Sequence, residues 1–112
     1  MKKNKLISLA FILILMVGLF AACGQPKEEL SSLEKIKEND VIRIGVFGDK
    51  PPFGYIDENG ENQGYDIYLA KRIAKDLLGD ESKIQFVITE AANRVEYLQS
   101  GKVDLILANF TV

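Results

Sequence analysis

Histidine is missing from this chain, and cysteine occurs only once. Imidazole acid–base catalysis is therefore excluded within the stretch. No Cys/His cluster has the spacing of a zinc site, and one thiol cannot close an intramolecular disulfide. No metal and no other cofactor is expected. Positive charge is scarce as well: beyond residue 22, eleven Lys and Arg face sixteen Asp and Glu, a net charge of −5. No basic stripe remains to neutralise phosphates, which argues against nucleic acid as the partner. A small anionic ligand, which responds to the local field, stays open. The chain has a single long apolar run, from Leu6 to Phe20, broken only by Ser8 and Gly18. That is shorter than the roughly 20 residues a membrane-spanning helix needs. With 112 residues there is room for one domain at most.

What is present begins with a three-part N-terminal pattern. Lys2, Lys3 and Lys5 precede the apolar run, and the small residues Ala21 and Ala22 lead to Cys23. This is the layout of a secretory signal peptide over residues 1–22. Leu19-Phe20-Ala21-Ala22-Cys23 resembles a bacterial lipobox, with the Leu one place further back than usual. Cys23 is thus the expected lipidation site (a palmitate-type acyl anchor), and each buried acyl CH₂ contributes about 0.8 kcal/mol to membrane attachment. Residues 23–31, polar and containing Pro26, read as the lipidated Cys and its tether, and the folded part is expected over residues 32–112.

Within that part, Ser31 and Glu34 offer a capping box for a short helix from about Ser32 to Glu38. Val41–Val46 is β-branched and mostly apolar, which predicts a buried strand in which Arg43 needs the sheet's rim or an acidic partner. The stretch Gly48–Gly54 reads as a loop, since Pro51 and Pro52 lack amide donors. Asn59-Gly60 suggests a hairpin turn between Tyr55-Ile56 and Gln63–Tyr65. Asp66 is the expected cap of a long helix with Ile67, Ala70, Ile73, Ala74 and Leu77 on its apolar face, closed by Gly79. Strands at Ile84–Ile88 and Val103–Ala108 enclose another helix, opened by Asn93 and Glu96 at capping-box spacing and ended by Gly101. Strands alternating with helices predict an α/β fold with a largely parallel sheet. Ligands of such sheets sit at the carboxyl ends of the strands, which selects residues 47–53 and 109–112. The sequence stops just after a buried strand, so the domain is expected to be incomplete at its C-terminus and to lack a second lobe.

In this order the segments resemble bacterial extracellular solute-binding proteins of family 3, the polar amino-acid receptors of ABC importers. Gly64-Tyr65-Asp66-Ile67-Tyr68-Leu69-Ala70-Lys71-Arg72-Ile73-Ala74 is similar to the family signature, although an acid is common where Tyr68 stands. Val41–Val46 with Asp49-Lys50-Pro51-Pro52-Phe53 resembles the first strand and ligand loop, and Leu98–Asp104 the later helix-to-strand turn. The resemblance implies a periplasmic-binding-protein-like fold of two α/β lobes closing on one amino acid, of which this chain would supply part of the first. It implies a monomer on the extracytoplasmic face of the membrane, delivering cysteine or cystine, or aspartate or glutamate, to an ABC permease. Cysteine-binding receptors are the members it resembles most. Two other classes remain open: a dehydratase or cell-wall lyase built on the same fold, and a sensory ligand-binding domain.

Six residues are candidates for the ligand site. Phe53, in the proline-rich loop, offers an apolar wall, or else plugs the lobe core. Lys50 offers a cation for an anionic group, or else is solvated. Arg94 starts a helix, where a cation opposes the helix dipole, so a partner is expected. By the family resemblance that partner is the ligand; the alternative is a salt bridge to Glu90 or a neighbouring acid. Asn109, Phe110 and Thr111 follow the last strand, where the family pattern places backbone groups and a Thr hydroxyl on the ligand's ammonium and carboxylate. No residue pair supports acid–base catalysis: Asp66 and Asp104 could pass for a carboxylate pair, but the cap explains Asp66 better.

Overall fold

The computed structural model describes Lys3 and residues 29–110. The signal-peptide, Cys23 and Thr111 assignments lie outside the described residues. Helix α1 (Ser32–Asn39) has the expected capping box: Ser31 Oγ accepts from the Glu34 amide at 3.3 Å, and a Glu34 carboxylate oxygen accepts from the Ser31 amide at 2.8 Å. The Ser31 hydroxyl also donates to the Glu34 carboxylate at 2.8 Å, and that bond together with the one from the Ser31 amide holds the Glu34 carboxyl below its ordinary range. Strand β1 (Ile42–Val46) follows, and then a small antiparallel sheet of β2 (Asp49–Lys50), β3 (Gly54–Ile56) and β4 (Asn62–Gln63). The long helix α2 (Tyr65–Leu78), β5 (Ile84–Ile88), the short helix α3 (Arg94–Gln99) and β6 (Leu105–Leu107) complete the order. Among the described residues no helix is long and apolar enough to cross a membrane.

The main sheet has the order β5-β1-β6 and is parallel throughout. β1 is the middle strand, in register Ile44↔Phe86 on one side and Ile44↔Leu105 on the other. Ile42, Ile44 and Val46 lie two residues apart and therefore share one face of this strand. Ile42, Ile44 and Val46 are buried and meet Ile36 of α1 and Ile67, Ala70 and Ala74 of α2. The α2 stripe ends on Leu78, which packs against this core, while Leu77 is exposed. A step of four from Ala74 fits the drift of a 3.6-residue turn better than the expected step of three.

Other expectations are corrected by short-range pairing and hydrogen bonds. The loop after β1 contains β2: Asp49 and Lys50 pair with Tyr55 and Gly54. The chain reverses over Pro51-Pro52-Phe53, closed by the Phe53 amide on the Lys50 carbonyl at 2.8 Å. Both prolines therefore sit in the turn, where a missing donor costs no ladder bond. β6 is shorter than its apolar run, since the Val103 amide returns to the Tyr97 carbonyl at 3.1 Å. Asn93 precedes α3 without capping it by its side chain; its Oδ1 accepts from the Glu90 amide at 2.9 Å instead. Arg43 finds its acid in Asp104. Its Nη2 and Nε donate to the two carboxylate oxygens at 2.6 and 3.1 Å, and Nη1 donates to the Gly101 carbonyl at 2.7 Å. The pair ties the α3–β6 turn to the middle strand.

Candidate functional site

The rim at the carboxyl ends of β1 and β6 is assembled around the start of α2. Gly64 precedes the helix with φ 113° and ψ −179°, a region that is essentially glycine-only. A Cβ there would lie 2.2 Å from the Phe53 carbonyl oxygen, so the approach needs a residue without one. That approach lets the loop cap the helix. The Tyr65 amide donates to the Pro52 carbonyl at 3.0 Å and the Asp66 amide to the Phe53 carbonyl at 2.8 Å. Two of the orphan amides of the first turn are satisfied in this way. Asp66 is consequently not the cap: it lies inside the first turn, and no side chain caps α2.

The same junction places Phe53, Tyr65 and Asp66 side by side. With Ile106, Leu107, Ala108 and Asn109 from the end of β6 they line an open cleft of about 330 Å³. Phe53 is 46% exposed and Tyr65 63%, so both rings keep a free face. Phe53 thus lies at the rim and is not buried in the core. Asp66 has one oxygen, Oδ2, that is buried and accepts no hydrogen bond among the described residues. Burial pushes its carboxyl above the ordinary range.

Arg94 stands beside this cleft. Its Nη1 donates to the Asn109 carbonyl at 2.9 Å, and its guanidinium lies 3.8 Å from the centroid of the Phe110 ring. Such a stack contributes roughly 0.5–1 kcal/mol at an exposed site. The alternative salt bridge to Glu90 is not formed, and among the described residues Arg94 pairs with no acid. Arg94 and Phe110 line a different, mostly apolar hollow of about 250 Å³ with Val95, Leu98 and Leu105. Lys50 is placed differently. Its Nζ donates to Asp49 and lies 5.8 Å from the Phe47 ring, and Lys50 does not line the cleft.

Phe53, Asn109, Arg94 and Phe110 are therefore linked at one rim, with Lys50 apart from them. Tyr65 and Asp66 are the residues that sequence reasoning left out of the site. Their signal was the glycine before an aromatic and an acid, which marks a close backbone approach as well as a helix start. Asp104 is occupied by Arg43. Burial alone would raise its carboxyl, but the Arg43 hydrogen bonds and charge outweigh that and hold it below the usual range.

The sequence profile of the bacterial extracellular solute-binding proteins, family 3, matches residues 42–112. The chain belongs to this family. It is 41% identical to the ABC transporter glutamine-binding protein GlnH of Bacillus subtilis, over 97% of this chain and 43% of that protein. Among solved structures it is similar to the cysteine-binding protein from Campylobacter jejuni. Identity is 76% and the TM-score 0.71, covering 74% of this chain and 34% of that one. A solute receptor for L-cysteine of Neisseria gonorrhoeae gives 70% identity and a TM-score of 0.70, over 73% of this chain and 33% of that one. The α/β architecture with its parallel sheet is thus that of the family, and the chain spans less than half the length of these relatives. Enzymes share the fold, a cyclohexadienyl dehydratase among them.

Proposed function

We propose that this family 3 member belongs to a receptor that captures a polar amino acid outside the cytoplasm and delivers it to an ABC import permease. In that reading residues 32–112 form part of the first of two lobes, and residues 23–31 tether it to a lipid on Cys23. The receptor is a monomer held at the extracytoplasmic face of the membrane. The observation that carries the reading is the rim itself: two exposed aromatic rings, a carboxylate and the Arg94-bonded loop after β6 converge on one cleft at the strands' carboxyl ends. An amino acid needs that combination of cation, polar acceptors and apolar wall. The cysteine-binding names of two similar structures favour cysteine or cystine, and the glutamine-binding name of GlnH keeps other polar amino acids in the test.

Among the described residues Arg94 uses one nitrogen on Asn109, and its Nη2 and Nε make no hydrogen bond. These are the donors we assign to the ligand carboxylate, together with groups at Asn109–Thr111. Phe53 packs against the ligand, and Lys50 reaches it once the Asp49 contact is released. Calorimetric titration of the full-length protein with cysteine, cystine, aspartate, glutamate and glutamine tests the reading. One of them is expected to bind, and Arg94→Ala to weaken it by about one to two orders of magnitude, the loss of a charge-assisted hydrogen bond. Phe53→Ala is expected to cost less. No binding by any of the five, or an Arg94→Ala variant as tight as the parent, would overturn it.

A further inference from the structure

We infer that the outer face of α2, carrying Tyr68, Lys71, Arg72 and Lys75, lies against an anionic lipid surface. This rests on the Cys23 anchor of the reading above and deepens it, by giving the lobe a side turned to the membrane. α1 and α2 cover the same face of the main sheet. Ile36 of the one and Ile67, Ala70 and Ala74 of the other meet Ile42, Ile44 and Val46 in one core. Lys83, just beyond α2, is bonded to Asp40 at the end of α1 at 2.8 Å. The order β5-β1-β6 sends the crossovers through α2 and α3 in opposite directions. Right-handed connections then put α3 on the other face. The tether, which leads into α1, therefore enters on the side that α2 covers. Seven residues separate Cys23 from Leu30, a reach of about 25 Å at most. A folded unit of about 100 residues, with a radius of gyration of about 13 Å, is wider than that. An anchored lobe consequently keeps this side toward the bilayer.

What this side presents fits a lipid–water boundary. Tyr68, Lys71, Arg72 and Lys75 follow helical steps of three and four opposite the buried stripe. With Glu81 they line a polar depression of about 300 Å³. Tyr68 is 69% exposed. Arg72 shares its charge with Asp76, whose two oxygens accept from its Nε at 3.2 Å. Lys71 and Lys75 form no salt bridge among the described residues. Three cations against two acids make this face positive, on a chain that carries −5 beyond residue 22. An acidic protein is repelled by anionic lipid in most orientations, and a cationic face selects its own. Lys and Arg can lay their stems on apolar surface with their heads among phosphates, and an exposed Tyr sits at the same level. Leu30 and Leu33, both exposed at the root of the tether, add apolar surface where the bilayer is nearest.

The test is lysine footprinting of the full-length acylated protein, reconstituted into vesicles of phosphatidylcholine alone or mixed with phosphatidylglycerol. Acetylation is followed at each lysine by mass spectrometry, so the parent protein suffices and no variant has to fold. A cation at an anionic surface favours the docked state about fivefold. Two free lysines, opposed in part by Glu81, should therefore slow acetylation of Lys71 and Lys75 about five- to twenty-five-fold on the phosphatidylglycerol vesicles. Lys102, which follows α3 on the other face, should react at the same rate on both. The protection should vanish in about 1 M salt, where screening leaves a reach of about 3 Å. Equal rates on both vesicles, equal slowing at Lys102, or protection that appears only when the purified permease is added would each overturn the inference. The last outcome would give the face to a protein partner. The N-terminal peptide of the same digest reports whether Cys23 is acylated. An unmodified Cys23 overturns the anchor and the inference with it; an acylated Cys23 with unprotected lysines overturns the inference alone.

Discussion

Replacing Gly64 by alanine puts a methyl group where the Phe53 carbonyl oxygen stands, 2.2 Å from the new Cβ and 2.7 Å from the Phe53 carbonyl carbon. The obstacle is backbone, so no side-chain rotation relieves it. Two costs follow. The conformation at φ 113° and ψ −179° strains a residue with a Cβ by about 1–3 kcal/mol. If the loop withdraws to make room, the Tyr65 and Asp66 amides lose their carbonyl partners, at about 0.5–1.5 kcal/mol each. The expected destabilisation is about 2–6 kcal/mol, a large part of the roughly 5–15 kcal/mol that holds a domain together. Equilibrium urea unfolding of the full-length protein measures it, with Gly60→Ala as the reference. Gly60 also has a positive φ, 80°, but a Cβ there meets no atom within 4 Å. It should cost only the left-handed strain of about 1–2 kcal/mol. Gly64→Ala should also weaken ligand binding, because the same junction aligns Phe53, Tyr65 and Asp66. A cost no larger than that of Gly60→Ala would refute the close approach of the loop to the helix.

Asp104→Asn removes the charge that Arg43 holds, and should destabilise the protein by about 1–3 kcal/mol at neutral pH. The folded carboxyl lies below its usual range because the Arg43 bonds outweigh burial. Its contribution is therefore present above the unfolded value near pH 4 and is lost as pH falls through the folded one. The stability curve of Asp104→Asn should be flatter than the parent's below about pH 4. Cys23→Ser should abolish incorporation of labelled palmitate into the expressed precursor, and surviving label would remove the anchor.

Local sequence made much of the scaffold legible. The capping box at Ser31 and Glu34 spans four residues, and it formed as spaced. The apolar steps Ile67, Ala70 and Ala74 named the buried face of α2, because helical periodicity is fixed by backbone geometry. Arg43 in an apolar strand announced that it needed an acid, but the acid lies 61 residues away. Nothing local could select Asp104 over other carboxylates. Arg94 at a helix start likewise announced a partner, and the fold supplied an aromatic ring and a carbonyl in place of an acid.

Asp66 marks the boundary between what each level determined. The sequence by itself determined that an acid follows glycine and an aromatic at the start of a long amphipathic helix. A side-chain cap was the economical local reading, since helix starts carry unpaired amides. Only the tertiary structure decided that the carbonyls of Pro52 and Phe53, more than ten residues earlier, would take those amides. Once they did, the carboxylate was released from capping and left at a cleft where, among the described residues, its Oδ2 accepts no hydrogen bond. Spacing along the chain sets which groups a helix offers; which of them are already satisfied depends on backbone brought in from elsewhere, and that is decided by packing.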